Sequence, residues 1–435
     1  MASTKNVLLN ESDRVTGRHL VILGMSWAGW VFDFYDLMLF SFLLAPIKRS
    51  LGLHDWELSL LMGSSLAATA VGGILFGFLA DRFGRKRILS WTIAVYSVGA
   101  FFCGFSTSFL WLLVFRLVTG VGVGGEWATG QTLIGETFPA RMRARFAAVM
   151  QTGAPIGIAL ASIVGGFVEP AFVRAFGLNW GWRSCFFLSL VPALLVIVIR
   201  QAMPESDVWS AHKAGGGKAV RLLPALKAHP ALYRLFLLGL VLALTDMSAY
   251  WFTYTWLPQY LYDHLGFSMA KSGIWMLITQ AGAFLGYLSF GFVADWKGRR
   301  VAYTLFSMVW ALGLFAVTWF WGVIDTVAWL PLVFMFLVGV GTGNFSGYGP
   351  IFSEIFPTAL RSTAMGTAFN LARGAQFFTP LIITWVTSLH WKDPAQGLGA
   401  GISIGALFAI LTGVWVWTLP ETKGTKIGVE PATWA

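Results

Sequence analysis

Apolar runs alternate with short polar or turn-rich gaps along this chain. They lie near 20–46, 57–80, 88–107, 109–135, 145–168 and 183–200, and again near 232–261, 270–294, 301–321, 328–353, 363–388 and 398–419. Crossing hydrocarbon takes a helix of about 20 apolar residues, so each run predicts one span. The pattern predicts an all-α membrane protein with twelve transmembrane helices. Residues 1–19 are polar and lack the charged start, short apolar run and cleavage site of a secretory signal, so they are expected to remain as an N-terminal tail. The stretch 201–231, with Gly215, Gly216, Gly217, Lys218, Arg221 and Lys227, reads as a linker between a first bundle, 20–200, and a second, 232–419, with 420–435 as a C-terminal tail.

Composition narrows the class. The 435 residues are 57% hydrophobic and 11% charged, with a mean hydropathy of +0.70, whereas soluble domains carry about 25% charged residues. A net charge of +10 would suit nucleic acid on a soluble basic face, but here the cations occupy gaps between apolar runs. Of the 30 Lys and Arg, 22 lie on the side holding both termini, 6 on the other and 2 inside spans. The positive-inside rule makes the first side, and both tails, cytoplasmic. Cys103 and Cys185 are too few for a disulfide framework and have no metal-binding spacing. Gly120, Gly122 and Gly125 spell a dinucleotide fingerprint, but mid-span and without the strand it requires, so they predict close helix packing. Gly217-Lys218 is followed by Ala219 and lacks the Walker hydroxyl. No cofactor, metal or ATP drive is expected, which leaves an ion gradient.

The two halves read as copies. Gly77-Phe-Leu-Ala-Asp81-Arg-Phe-Gly84-Arg85-Lys86 recurs as Gly291-Phe-Val-Ala-Asp295-Trp-Lys-Gly298-Arg299-Arg300, 214 residues later. Glu136, Pro139 and Arg143 recur as Glu354, Pro357 and Arg361, and Pro204-Glu205-Ser206 as Pro420-Glu421-Thr422. Parallel repeats of this kind build carriers whose site lies at the midplane between them.

These motifs resemble the major facilitator superfamily over essentially the whole chain. Within it, Arg116-Leu-Val-Thr-Gly120-Val-Gly122-Val-Gly124-Gly125-Glu126-Trp127 followed by Glu136-Thr-Phe-Pro139 is similar to the metabolite:proton symporters, particularly sialate and lactate carriers. The closing Pro420-Glu421-Thr422-Lys423-Gly424 is also similar to sugar porters. The resemblance implies two pseudo-symmetric six-helix bundles and alternating access, with proton-coupled symport of a small organic anion, a monocarboxylate such as lactate or a sialate-like acid. It implies a monomer in a bacterial inner membrane, no nucleic-acid partner and no enzymatic activity. The alternatives are a proton-coupled neutral sugar porter and a carrier of aromatic or dicarboxylic acids.

Ionisable groups inside hydrocarbon cost about 2.5–3.5 kcal/mol each on insertion scales and so need a partner, a wet cavity or a function. Six stand out: Asp33, Asp36, Arg116, Glu126, Asp246 and Arg373. All six histidines fall in loops or at span ends, so a proton carrier here is a carboxylate. Asp33 and Asp36 share a helix face, and by helix rise Asp36 lies at nearly the depth of Arg116. Asp36 is thus the better partner, with Asp33 still open. A guanidinium favours the ionised acid and burial the protonated one, so proton binding would release Arg116; the resemblance carries that role to Asp36 and Arg116, and the alternative is a permanent structural bridge. Glu126 is a second titratable candidate, or else a hydrogen-bonded structural acid near the cytoplasmic surface.

Arg373 lies near the midplane, one turn from Asn370 and from Gln376, where a forked cation suits a carboxylate. Asp246, Tyr250 and Tyr254 form one stripe on the seventh span, so they and Arg373 describe an anion pocket. Alternatively Asp246 neutralises Arg373. Asn344, Gln280 and Gln151 could add hydrogen bonds. In the duplicated loops, Asp81 and Asp295 sit at helix ends and Arg85, Lys86, Arg299 and Arg300 can meet Glu136 or Glu354 across the interface. The resemblance makes this cluster, with Arg143 and Arg361, a conformational latch; the alternative is that the cations only hold loops inside.

Overall fold

The computed structural model describes residues 15–138, 146, 149–207, 210, 222–327, 329–356, 361–389 and 394–423. They are helical almost throughout, with no strand among them. The spans are labelled α1 to α12. The first four are Gly17–Leu51 (α1), Asp55–Phe83 (α2), Arg85–Cys103 (α3) and Phe109–Thr137 (α4). Span α5 joins Gly153–Ile163, a π turn at Val164–Val168, and Glu169–Phe176. Span α6 joins Leu178–Phe187, a 3-10 turn at Leu188–Leu190, and Val191–Ala202. The short helix Leu222–Ala228 precedes α7, which is Pro230–Tyr254 prolonged by Leu257–Gln259 and Tyr260–His264. Then come Met269–Lys297 (α8) and Arg299–Trp319 (α9). Span α10 joins Leu330–Gly341, a 3-10 stretch at Thr342–Gly347, and Tyr348–Ile355. Span α11 joins Arg361–Ala375 and Phe378–Ser388, and α12 is Pro394–Trp415 with a closing turn at Val416–Thr418.

Nine helices among the described residues are long and apolar enough to cross a membrane. The other three spans are α3, which opens on Arg85, Lys86 and Arg87, and the two-piece α6 and α11.

Local chemistry explains where the helices stop, and it moves several expected limits. α1 continues through Pro46 to Leu51, because Gly52 turns left-handed at φ 66° and donates its N–H to the Lys48 carbonyl. α3 ends at Cys103 rather than near 107. α5 runs on to Phe176, past the expected limit at 168. The N-terminus of α1 is closed by Thr16 and His19, whose ring also bonds the Thr137 carbonyl and ties the start of α1 to the end of α4.

The repeat is visible in the backbone. Gly84 ends α2 and opens α3 at φ 103°, and Gly298 does the same between α8 and α9 at φ 104°. In this left-handed region a Cβ is strained, so glycine is the fitting residue in both copies. Packing repeats too. The α2/α4 crossing seats Gly72 and Gly124 against backbone of the partner helix, and the α8/α10 crossing does so with Gly286 and Gly339. Gly120 and Gly122 of the fingerprint-like run are spent in the same way, against Ser65 and Tyr96.

The bundles meet chiefly where α2 lies on α11 and α5 on α8, pairs related by the same pseudo-symmetry. α1 is buried along most of its length, whereas α6 and α12 expose Leu194, Ile197, Leu407 and Val414 on outer faces suited to lipid.

Candidate functional site

α1 and α4 run antiparallel, so Asp36 comes opposite Arg116 while Gly29 comes opposite Glu126. The Arg116 Nη1 donates to Asp36 Oδ2 at 3.0 Å, with both side chains buried. The partner that depth arithmetic favoured is therefore the one found. The Arg116 guanidinium also lies 4.5 Å from the Phe40 ring centroid. It lines a small cleft with Leu37, Met62 and Leu66 of its own bundle and with Trp251 and Thr255 of the other. This buried pair thus faces the inter-bundle seam, not lipid.

Arg373 sits in the last turn of the first piece of α11. Its guanidinium carbon lies 5.7 Å from the Trp30 ring and 5.9 Å from the Phe34 ring, both on α1 of the opposite bundle. The charged groups it faces are Asp33 and Glu126, with Tyr250 beside it. Nη1 and Nη2 are buried without a hydrogen-bond partner, and so are all four carboxyl oxygens of Asp33 and Glu126.

The expected alternative in which Asp246 neutralises Arg373 is not the arrangement found. Asp246 turns into its own bundle, where it accepts from Asn344 Nδ2 at 3.3 Å and faces Tyr348. Asn344 also donates to Ser307 at 2.9 Å. Glu126 is fully buried, and its carboxyl faces that of Asp33.

Tyr250 and Tyr254 remain on one stripe with ring centroids 4.7 Å apart, and Tyr250 meets Phe34 edge-on at 6.0 Å across the seam. The polar candidates divide. Gln376 is engaged by Ser248, Thr379 and the Ala372 carbonyl. Asn370 donates to the Gly366 carbonyl, keeps its oxygen unpaired and lies against Gly73 of α2. Gln280 is buried beside Tyr254. Gln151 accepts from Trp127 Nε1 at 3.2 Å. Trp127 in turn stacks on Phe369 of α11 with centroids 3.6 Å apart, an inter-bundle contact that sequence reasoning missed. Trp30 and Phe34 were missed too, since one aromatic among many carries no positional signal.

Among the described residues the loop clusters form two matching networks, each inside one bundle. Arg85 bonds Glu136 at 3.0 Å and Arg299 bonds Glu354 at 3.0 Å. Ser206 donates to Glu136 Oε2 at 2.6 Å, and Thr422 to Glu354 Oε2 at 2.5 Å. Glu205 accepts from the backbone N–H of Arg85 and Lys86, as Glu421 does from Arg299 and Arg300. Both acids cap a helix N-terminus, where a carboxylate is favoured. They were legible only as repeat anchors. Burial pushes the Glu421 carboxyl up, but N–H groups of Arg299, Arg300, Lys423 and Thr422 outweigh it and hold the acid below its ordinary range. Asp295 bonds Arg299 at the exposed helix end. Arg143 lies outside the described residues, as do the side chains of Asp81 and Arg361. Among the described residues no group of three or more His, Cys, Asp or Glu is placed to hold a metal.

Comparison with known proteins agrees with this architecture. The family model described as Major Facilitator Superfamily matches residues 26–380. The sialic acid transporter NanX of Escherichia coli is 30% identical over 399 residues, covering 89% of this chain and 92% of that one. The cis,cis-muconate transport protein of Acinetobacter baylyi is 29% identical over 82% of this chain and 84% of its own length. In three dimensions the xylose transporter XylE of E. coli superposes with a TM-score of 0.75 at 19% identity, over 94% of this chain and 100% of that one. With a family model matched over residues 26–380 and a relative 30% identical over 89% of its length, the chain belongs to the Major Facilitator Superfamily.

Proposed function

We propose that the chain is a proton-coupled symporter that takes up a small organic acid across a bacterial inner membrane, with both termini cytoplasmic. The observation that carries the reading is Arg373, a forked cation buried at the bundle seam with both terminal nitrogens unpaired. A buried guanidinium whose terminal nitrogens make no hydrogen bond is left with part of its desolvation cost uncompensated, and a substrate carboxylate is the ligand that would offset this bidentately. Trp30, Phe34 and Tyr250 frame the cation and favour a small acid with an apolar or planar body. Sialate and muconate, in the names of the two relatives, are both carboxylates. The monocarboxylate and sialate-like classes lead; aromatic and dicarboxylic acids fit the same anchor.

Asp36 and Arg116 supply a coupling element on this reading. While Asp36 is ionised it holds Arg116. When it takes a proton from the outer side the guanidinium is freed towards the seam, and the equilibrium between outward-open and inward-open forms shifts. The loop networks hold each bundle's cytoplasmic ends rigid, so that the bundles rock as blocks.

Purified carrier in vesicles, given labelled lactate, sialic acid, muconate and xylose with and without an acidic exterior, tests the reading. Uptake of at least one acid, stimulated by the pH gradient and lost in Arg373→Gln, is expected. Gradient-driven uptake of xylose alone would overturn the anion reading in favour of a sugar porter.

A further inference from the structure

Asp33 and Glu126 have no part in the mechanism above, yet they occupy its centre. Their carboxyls face each other from α1 and α4, both fully buried. The meeting depends on a slot in α1: a Cβ at Gly29 would overlap the Glu126 carboxyl. Side chains lean towards the N-terminus of their helix, which for Glu126 on the antiparallel α4 means towards Asp33, one turn beyond Gly29. The surrounding charges are few. Arg373 comes from α11, Asp36 is the next acid on α1 and is already bridged to Arg116, Tyr96 faces the pair from α3, and Tyr250 stands beside Arg373 from α7.

Two adjacent carboxyls shut away from water cannot both ionise, so they hold one proton between them and titrate as a unit. The pair then carries one negative charge opposite the one positive charge of Arg373. We propose that Asp33 and Glu126, sharing a proton, are the built-in counter-anion of Arg373 in the substrate-free carrier, and that a substrate carboxylate replaces them as the pair takes up a second proton. The inference rests on the reading of Arg373 as the anion anchor. The charges balance in both states. Before binding, the singly protonated pair neutralises Arg373; after binding, the substrate carboxylate does so and the doubly protonated pair is neutral. One proton therefore enters through this pair with each carboxylate, in addition to any that Asp36 carries, and the empty carrier can close without stranding a bare cation.

Two measurements test this in the full-length protein. In the substrate-free carrier at neutral pH, infrared difference spectra of wild type against Glu126→Gln should show loss of one protonated-carboxyl band, because Asp33 is left alone with Arg373 and ionises. An unchanged carboxyl region would overturn the proposal. In binding assays with sialic acid, muconate and lactate, repeated in buffers of different ionisation enthalpy, wild type should take up at least one proton per carboxylate bound. Affinity should then fall by about tenfold per pH unit above the titration of the pair. The double variant Asp33→Asn/Glu126→Gln should flatten that slope, whereas either single variant, which leaves one ionised acid opposite Arg373, should only move it along the pH axis. Gly29→Ala, which displaces the Glu126 carboxyl without changing any charge, should shift it. Proton uptake that persists unchanged in the double variant overturns the inference while leaving the anchor standing. Acid binding that survives Arg373→Gln undiminished removes the anchor, and the inference with it.

Discussion

At Asp36 and Arg116 a single hydrogen-bonded ion pair of 3.0 Å is buried with one oxygen of the acid and the Nε of the base unpaired. Such a pair is loosely satisfied for its depth, which suits a contact that opens during turnover. Asp36→Asn should abolish pH-driven accumulation while sparing exchange across preloaded vesicles; accumulation at the wild-type level would assign the pair a purely structural role. Asp36→Ala, which leaves Arg116 buried without its partner, should cost about 3–5 kcal/mol of stability, read as a lower Tm of the purified carrier. The pairing was legible from helix rise alone, because both residues sit in regular helix and depth decides which groups can meet. The Asp33 and Glu126 meeting was not, because it turns on the lean of a long side chain and on the missing Cβ of Gly29, neither of which depth arithmetic contains. Asp246 misled for a related reason: shared face with Tyr250 did not reveal that Asn344 of α10 would claim it.

The elements that hold each bundle together are the two glycine-hinged loops and the acids that cap them. Gly298→Ala should destabilise the second bundle by about 1–2 kcal/mol through backbone strain. The added methyl would also crowd the Glu421 carboxyl, so Tm should fall further than in a helical glycine replacement such as Gly291→Ala, where the added methyl meets open space. Glu421 makes the loop acid-sensitive. Because its folded form is held below the ordinary carboxylate range, its contribution is complete above that range and is lost as the pH falls through the depressed value. Glu421→Gln should remove that part of the acid dependence, followed as Tm against pH. Helix identity was plain from the apolar runs, but ends were not. Pro46 reads as a stop, yet α1 passes it, since a proline in a last turns-rich stretch sacrifices one bond while Gly52 provides the real terminus.

Besides the contacts at the central site, the bundles touch on either side of it among the described residues. Towards the termini, Trp127 stacks on Phe369; towards the other side, Gly166 of α5 meets the backbone of Gly273 and Met269 on α8. Those neighbours are main chain and cannot swing aside. Gly166→Trp should therefore wedge that side open, raising the labelling of cysteines introduced there and halting transport; unchanged labelling would mean that α5 and α8 do not form the outer gate. The twofold architecture was readable from three motif pairs at nearly one offset, whereas which helices would face each other across the seam had no trace in any single segment. Gly84 and Gly298 explain why the pair that holds them stayed readable. In the spans, one greasy side chain substitutes for another and ancestry is soon erased. At a backbone angle that mirrors the usual one, replacement is penalised whatever surrounds it, so the record of an old duplication survives longest where the main chain, not the side chain, has no latitude.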